Sequence, residues 1–356
     1  MFRSLGRIIA SAVLLVITGM MMAAAKYLPQ LVFPAYRELS RSVLTAIASV
    51  TGAFPFAVWE VLLVVLVLLF IYSIVHTVLQ KKRFLSWLSG IVLAASVLIF
   101  LFTGLWGLNH YAPDISEELN LQIREYSEEE LTAATRYYMT EAANLAGQVR
   151  RDADGKMVCD DFEDWARQAG AAFAPLAETW PVFSGSTAPV KKAALTGRLM
   201  SYLGNTGVFV DFTAESTVNP DTFPASIPHT MCHEAAHRCT IAGEDEANFA
   251  AFLACDASGD PAFRYSGYYS AFVYCYNALY DANKSAATGL WTEGTELLRA
   301  DCGAANDHYE QYEGKVQDVA TKVNDTYLKT FSEESGVQSY GEAADYLIAW
   351  YLQNNA

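Results

Sequence analysis

The 356-residue chain is 53% hydrophobic, which suits a membrane region joined to one sizeable soluble domain. Its charge is unevenly divided: residues 1–112 carry eight Lys/Arg against Glu38 and Glu60, a net +6, whereas residues 113–356 carry sixteen Lys/Arg against thirty-seven Asp/Glu, a net −21. So acidic a second part argues against nucleic acid as a partner and against docking on anionic headgroups, and it is compatible with neutral or cationic peptides.

Three apolar stretches predict transmembrane helices at about 8–25, 61–79 and 85–105, the first preceded by Arg3 and Arg7. A cleaved signal peptide is the other reading of the first, and the two spans that follow make anchoring the simpler role. Lys81, Lys82 and Arg83 lie in the short connection between the second and third spans. By the positive-inside rule this connection and the N-terminus are cytoplasmic and residues 113–356 form an extracytoplasmic domain. All six cysteines fall in that domain, as an oxidising compartment permits. Cys232 and Cys239 are about 10 Å apart along a continuous helix, too far to bridge each other.

Between the first two spans, residues 35–54 place Leu44, Ile47 and Val50 at helical spacing among Arg37, Glu38 and Arg41, predicting an interfacial helix. After the third span, Trp106, His110 and Tyr111 suit the membrane interface. The capping box Ser127-x-x-Glu130 opens a helix running to about Arg151, DADGK at 152–156 is a turn, and further helices are expected near 160–174 and 189–203. Residues 207–218, GVFVDFTAESTV, read as one or two short strands, and Pro220, Pro224 and Pro228 punctuate the approach to the next helix. After residue 262 the chain reads as mostly helical.

That next helix carries the chemistry. In His233-Glu234-Ala235-Ala236-His237 the two histidines lie one turn apart on one face, so both imidazoles can reach one zinc ion. Glu234 between them is placed to take a proton from a zinc-activated water, the zinc lowering that water's pKa towards 7. A catalytic zinc needs a third protein ligand, and the acidic run Glu244-Asp245-Glu246 follows within ten residues. Glu244 and Glu246 point about 160° apart on one helix, so only one can face the metal. Glu244 shares its face with the small residues Ala247, Asn248 and Ala251, which allows close packing on the HEAAH helix, whereas Glu246 shares its face with Phe249 and Leu253. Glu244 is therefore the expected ligand. Its rival role is a carboxylate favouring a helix N-terminus. The chain must reverse within residues 238–243, where Gly243 is the residue free of backbone restriction.

The segments CHEAAHRCTIAGEDEANFAAFLAC at 232–255, WGLNHY at 106–111, FRYSGYYSA at 263–271 and VNDTYLK at 323–329 resemble a bacterial family of unknown function. Its members are three-pass membrane proteins with a C-terminal HExxH domain. The resemblance extends over nearly the whole chain and implies relation to the zincin peptidases. Glu244-x-x-Ala247-Asn248 is also similar to a Glu-x-x-Ala-Asp signature of glutamate-ligand zincins, in which the Asp orients a ligating histidine; Asn248 stands at that position here, as a neutral acceptor behind the ligands.

Zincins receive substrate as an added strand beside the motif helix, and Val208 to Thr213 is the segment expected to do so, an ordinary core strand being the alternative. For oxyanion stabilisation Tyr265, Tyr268, Tyr269 and His308 are available, and Tyr265 is the choice. His229 either extends the ligand set or fills the helix start. The expected whole is a three-span membrane region, 1–112, and a mostly helical α+β zincin-like domain, 113–356, acting as a zinc metallopeptidase on extracytoplasmic peptides or proteins. The other readings are a zinc-binding, catalytically idle membrane sensor or scaffold that binds a partner, and a hydrolase of another amide or ester.

Overall fold

The computed structural model describes residues 2–80, 84–331 and 339–355. The basic connection Lys81–Arg83 lies outside the described residues. The chain is mostly helical, with one small sheet. Single-turn helices are left unlabelled below.

Among the described residues, three helices are long and apolar enough to cross a membrane: α1 (Phe2–Tyr27), α3 (Val58–Leu79) and α4 (Phe84–Leu105). A helix that is apolar all round has no polar face to give to water, and α3 leaves nearly every side chain exposed except Glu60. α1 packs along α4, and the Arg7 guanidinium donates to the Ser86 carbonyl (2.9 Å). Between them α2 (Ala35–Thr51) forms where an interfacial helix was expected, but its polar face is spent on protein. Arg37 pairs with Glu118 (2.5 Å), Arg41 donates to the Val182 carbonyl (3.1 Å), and Leu44 packs with Trp106, Ala214 and Ala242. Leu39 and Val50 remain exposed on its other side.

The second part opens with α5 (Glu128–Ala146), whose capping box is formed as expected: Ser127 Oγ accepts from the Glu130 N–H and Glu130 accepts from the Ser127 N–H. α5 stops five residues before Arg151. α6 (Phe162–Ala171) follows. The helix expected over 189–203 is confined to α7 (Gly197–Leu203), because Lys191 and Lys192 form a short strand, β1, parallel to β3. The Lys191 ammonium donates to the Gly52 and Phe54 carbonyls.

Residues 207–218 form two strands, β2 (Gly207–Val210) and β3 (Glu215–Val218), paired antiparallel from Gly207↔Val218 to Val210↔Glu215. The sheet order is β1-β3-β2, so β2 is an edge. Residues 211–213, expected to continue that strand, turn instead, and Ala214 takes a positive φ of 50°.

α8 (Ile227–Arg238) is buried along all twelve residues, enclosed by α6, β3, α9 (Glu244–Asp256) and α10 (Pro261–Ala282). α11 (Lys284–Trp291), α12 (Glu296–Tyr312), α13 (Lys315–Thr330) and α14 (Ser339–Asn355) complete the fold. The core is rich in aromatic contacts, with Phe249 and Phe252 of α9 against Tyr346 of α14 and Tyr138 of α5. All six cysteines are unpaired.

Candidate metal centre

α8 starts with Pro228 in its first turn, where a missing N–H leaves no hydrogen bond unmade. It ends in a tight reversal: the N–H of Thr240 donates to the His237 carbonyl (3.0 Å) and that of Ile241 to the Ala236 carbonyl (3.2 Å). The left-handed residue of this reversal is Thr240 (φ 72°), not Gly243, which is extended (φ −63°, ψ 134°). A threonine there is strained by roughly 1–2 kcal/mol, and surrounding contacts must hold it. They come from the first part of the chain: Arg41 reaches Thr240 Oγ1 (3.5 Å), and the Trp106 indole N–H donates to the His237 carbonyl (3.1 Å). Trp106 is thus buried beneath the motif helix, with its ring edge-on to His237. Gly243 serves by lacking a Cβ, which would approach Glu246 Oε2 to 2.7 Å.

The reversal brings α9 alongside α8 and sets three ligand atoms facing one another. His233 Nε2 and His237 Nε2 are 3.1 Å apart, and Glu244 Oε2 lies 3.1 Å from the first and 3.8 Å from the second. A tetrahedral zinc centre with ligand bonds of about 2.0–2.1 Å separates its ligand atoms by roughly 3.3–3.4 Å, within the spread of this triangle. Two imidazoles and a carboxylate are also the donor set of open zinc sites, so the residues fit the ion. The Ile241 carbonyl accepts from His237 Nδ1 (2.8 Å), fixing that ring with Nε2 towards the cluster. Glu246, on the opposite side of α9, accepts from the Ile115 N–H (2.8 Å).

Burial alone would favour neutral His237, but the Glu244 carboxylate, with Glu234 and the Ile241 carbonyl, outweighs it and pushes the imidazole up to about 9. Glu244 is held well below the usual carboxylate range: burial opposes this, and hydrogen bonds from His233 and His237 prevail. Metal uptake near neutrality must therefore displace a proton from His237. Apparent zinc affinity is expected to climb about tenfold per pH unit from pH 7 towards pH 9 and to flatten above, measured by titration against a competing chelator. A pH-independent affinity over that interval would mean that the metal-free pair holds no proton.

Glu234 projects into the same cleft, buried, with one carboxylate oxygen unpartnered. Burial pushes its pKa up to about 7, against the lowering influence of His233 and His237. The carboxylate rests on Gly207 of edge strand β2, where an added Cβ would overlap it. Ser216 of β3 fixes the helix beneath by donating to the Glu234 carbonyl (2.6 Å). Gly207→Ala should therefore displace the carboxylate and reduce hydrolysis by roughly tenfold or more while zinc content stays at the wild-type level. Unchanged turnover in that variant would show that Glu234 does not need this bed.

The cleft holds about 590 Å³ and is walled by β2, α8, α9, α13 and the end of α4. The other expected residues are placed as follows. Asn248 lines the cleft, but its side-chain oxygen accepts from the Tyr274 hydroxyl (2.9 Å) and its backbone carbonyl contacts His229 Nε2 (3.2 Å), so it is bonded to neither ligating histidine. His229 is thereby a satisfied buried histidine, held neutral by burial and by His233, with a pKa lowered to about 3. Tyr265 does not line the cleft: it is fully buried, its hydroxyl bonded to Asp301 and its ring under Arg151. Tyr268, Tyr269 and His308 also lie off this cleft; its tyrosines are Tyr274, Tyr309 and Tyr327. Asp211, beyond β2, is a further buried cleft carboxylate, pushed up to about 6 by burial.

A family model described as "Protein of unknown function (DUF3810)" matches residues 36–348, most of the chain. This chain belongs to the DUF3810 family. No curated protein and no solved structure matches it. The DUF3810 match takes in α3, α4, Trp106, both strands of the hairpin and every member of the His233–His237–Glu244 cluster; α1 falls outside it.

Proposed function

We propose that this DUF3810 protein is a membrane-anchored, zinc-dependent peptidase of zincin type. The observation that carries the reading is the convergence of His233, His237 and Glu244 within one cleft, beside the unpartnered buried carboxylate of Glu234. Bound there, zinc supplies Lewis-acid activation of water and of a peptide carbonyl. The chain's own residues do the rest. His233, His237 and Glu244 hold the ion. Glu234, with a pKa raised to about 7, accepts the proton of the attacking water and returns it to the leaving amine. β2, an edge strand on the cleft wall, offers backbone groups to an extended substrate. Tyr309 lines the cleft and takes over from Tyr265 as the hydroxyl available to a developing oxyanion, the Tyr274 hydroxyl being spent on Asn248. Retention of a general base favours an enzyme over an idle zinc-bound sensor or scaffold, which has no use for Glu234.

The reading places residues 113–356 outside the cytoplasm, on the +6 bias of the first part and its short basic connection. The deciding experiment is metal analysis of the full-length protein in detergent followed by a screen of a diverse peptide library. One zinc per chain, and cleavage that a chelator abolishes and added zinc restores, is the expected result. Zinc without cleavage of any peptide would favour the sensor.

A further inference from the structure

The metal cleft is built onto the ends of the apolar helices. Phe102, in the last turn of α4, and Trp106 just beyond it line the cleft together with His233 and His237. The start of α3 is tied to the same body: Glu60, in its first turn, accepts from the N–H groups of Leu195 (3.0 Å) and Thr196 (2.8 Å) ahead of α7. Glu215 of β3 accepts from the N–H groups of Val58 and Trp59, both at 2.9 Å. Only four residues separate α3 from α4, so the start of one and the end of the other emerge on the same side of a bilayer.

α13 closes the cleft by bridging these two attachments. Near its beginning, Gln317 lies against Gly204 at the end of α7. Near its end, Tyr327 shares a hydrogen bond with His110 (3.0 Å), and Phe331, just past α13, stands edge-on to Phe102 at 5.4 Å. A 16-residue helix is about 24 Å long, and α13 runs from the end of α7 to the end of the membrane-crossing helix α4.

At about 100° per residue, α13 presents three strips. Gln317, Ala320, Thr321 and Asn324 line the cleft. Asp318, Lys322, Asp325 and Lys329 form a charged strip. Between them Val316, Val319 and Val323 are 55%, 60% and 65% exposed. Phe54, Phe56 and Leu195, beside the start of α3, are exposed as well. Apolar side chains are therefore exposed both beside the start of α3 and on α13 at the cleft's border. A strip of three valines on an otherwise polar helix is not needed for solubility, and the seating of the end of α13 on the end of the membrane-crossing helix α4 names its occupant.

We infer that this strip beds in the lipid leaflet on the cleft's side of the membrane, so that the cleft opens at the lipid surface and takes polypeptide held there, a segment close to its own membrane anchor, in preference to freely diffusing peptides. The substrate half of the inference rests on the peptidase reading; the lipid contact does not. The net charge of −21 on residues 113–356 further requires that the contact be apolar rather than a headgroup attraction, so zwitterionic lipid suffices.

The test uses the full chain in phosphatidylcholine nanodiscs carrying a diazirine-tailed phosphatidylcholine. After photolysis and trypsin digestion, lipid adducts are expected on the peptides 316–322 and 323–329 and not on 137–150 of α5. Adducts missing from 316–329 overturn the lipid contact. A cleavable sequence is then presented on a lipid anchor through a short spacer, through a long flexible spacer, and free in solution. Cleavage at least about tenfold faster with the short spacer is expected from the raised local concentration at the right height. Equal rates for all three overturn the substrate preference. Lipid adducts in place with no cleavage of any form would uphold the lipid contact while removing both the substrate preference and the peptidase reading.

Discussion

Glu234→Gln is expected to abolish peptide hydrolysis while leaving zinc bound. The glutamine keeps the shape that fits against Gly207 and leaves His233, His237 and Glu244 untouched, so the three proposed ligands are preserved. What it removes is the base. Loss of a positioned general base costs on the order of 10²–10⁴-fold in turnover. The sign of the pH dependence follows from the same carboxylate. Burial raises its pKa to about 7, and a bound cation, being positive, lowers it again, so the acidic limb of the wild-type rate profile should fall at or below pH 7 as Glu234 becomes protonated. The measurements are kcat on a peptide found by library screening and zinc content by elemental analysis, on the same preparation. If the variant keeps full turnover in an assay that His233→Ala and His237→Ala fail, the base lies elsewhere.

How much of this was legible in the sequence depends on whether a feature is local. The four-residue spacing of His233 and His237 is a property of any helix, so their meeting at 3.1 Å follows once α8 forms. The Ser127 capping box is equally local and is formed as read. The apolar lengths of α1, α3 and α4 required only hydropathy. The misplacements are all tertiary. Thr240 adopts a left-handed angle that a β-branched residue avoids, because Arg41, 199 residues earlier, helps hold it, and no local rule would prefer it to Gly243. Trp106 has the composition of an interfacial aromatic, yet its indole N–H is spent on the carbonyl of His237. Tyr265 and Tyr274 lie nine residues apart on α10 and turn to different sites, one to Asp301 and the other to Asn248 and the cleft. With twenty tyrosines in the chain, residue type alone could not choose between them. Gly207 did carry a signal: a glycine at the start of a strand marks a close approach, and here the approaching group is the Glu234 carboxylate.

Glu244→Ala should lose zinc and Glu246→Ala should keep it. Two residues apart on α9, these carboxylates are turned to opposite sides, and their surroundings differ in kind. Glu244 Oε2 lies 3.1 Å and 3.8 Å from the two imidazole Nε2 atoms, which hold it ionised well below its usual range despite burial. An anionic oxygen aimed at two nitrogen donors is a ligand waiting for a cation, and removing it leaves two histidines alone. The expected fall in zinc affinity is roughly 10²-fold or more, beyond the 10–100-fold that loss of an outer-shell partner costs. Glu246 instead accepts the Ile115 N–H and is pushed up to about 8 by burial and then by Asp114 and Asp245, so it is largely a neutral carboxylic acid at pH 7. Truncating it strands a buried N–H, which costs about 1–3 kcal/mol of stability but takes nothing from the metal. The two variants should therefore separate in a chelator competition, where only Glu244→Ala shifts. Restoring an acceptor with Glu246→Gln should recover most of that stability. If Glu246→Ala loses the metal while Glu244→Ala retains it, the cluster of His233, His237 and Glu244 is not the zinc site.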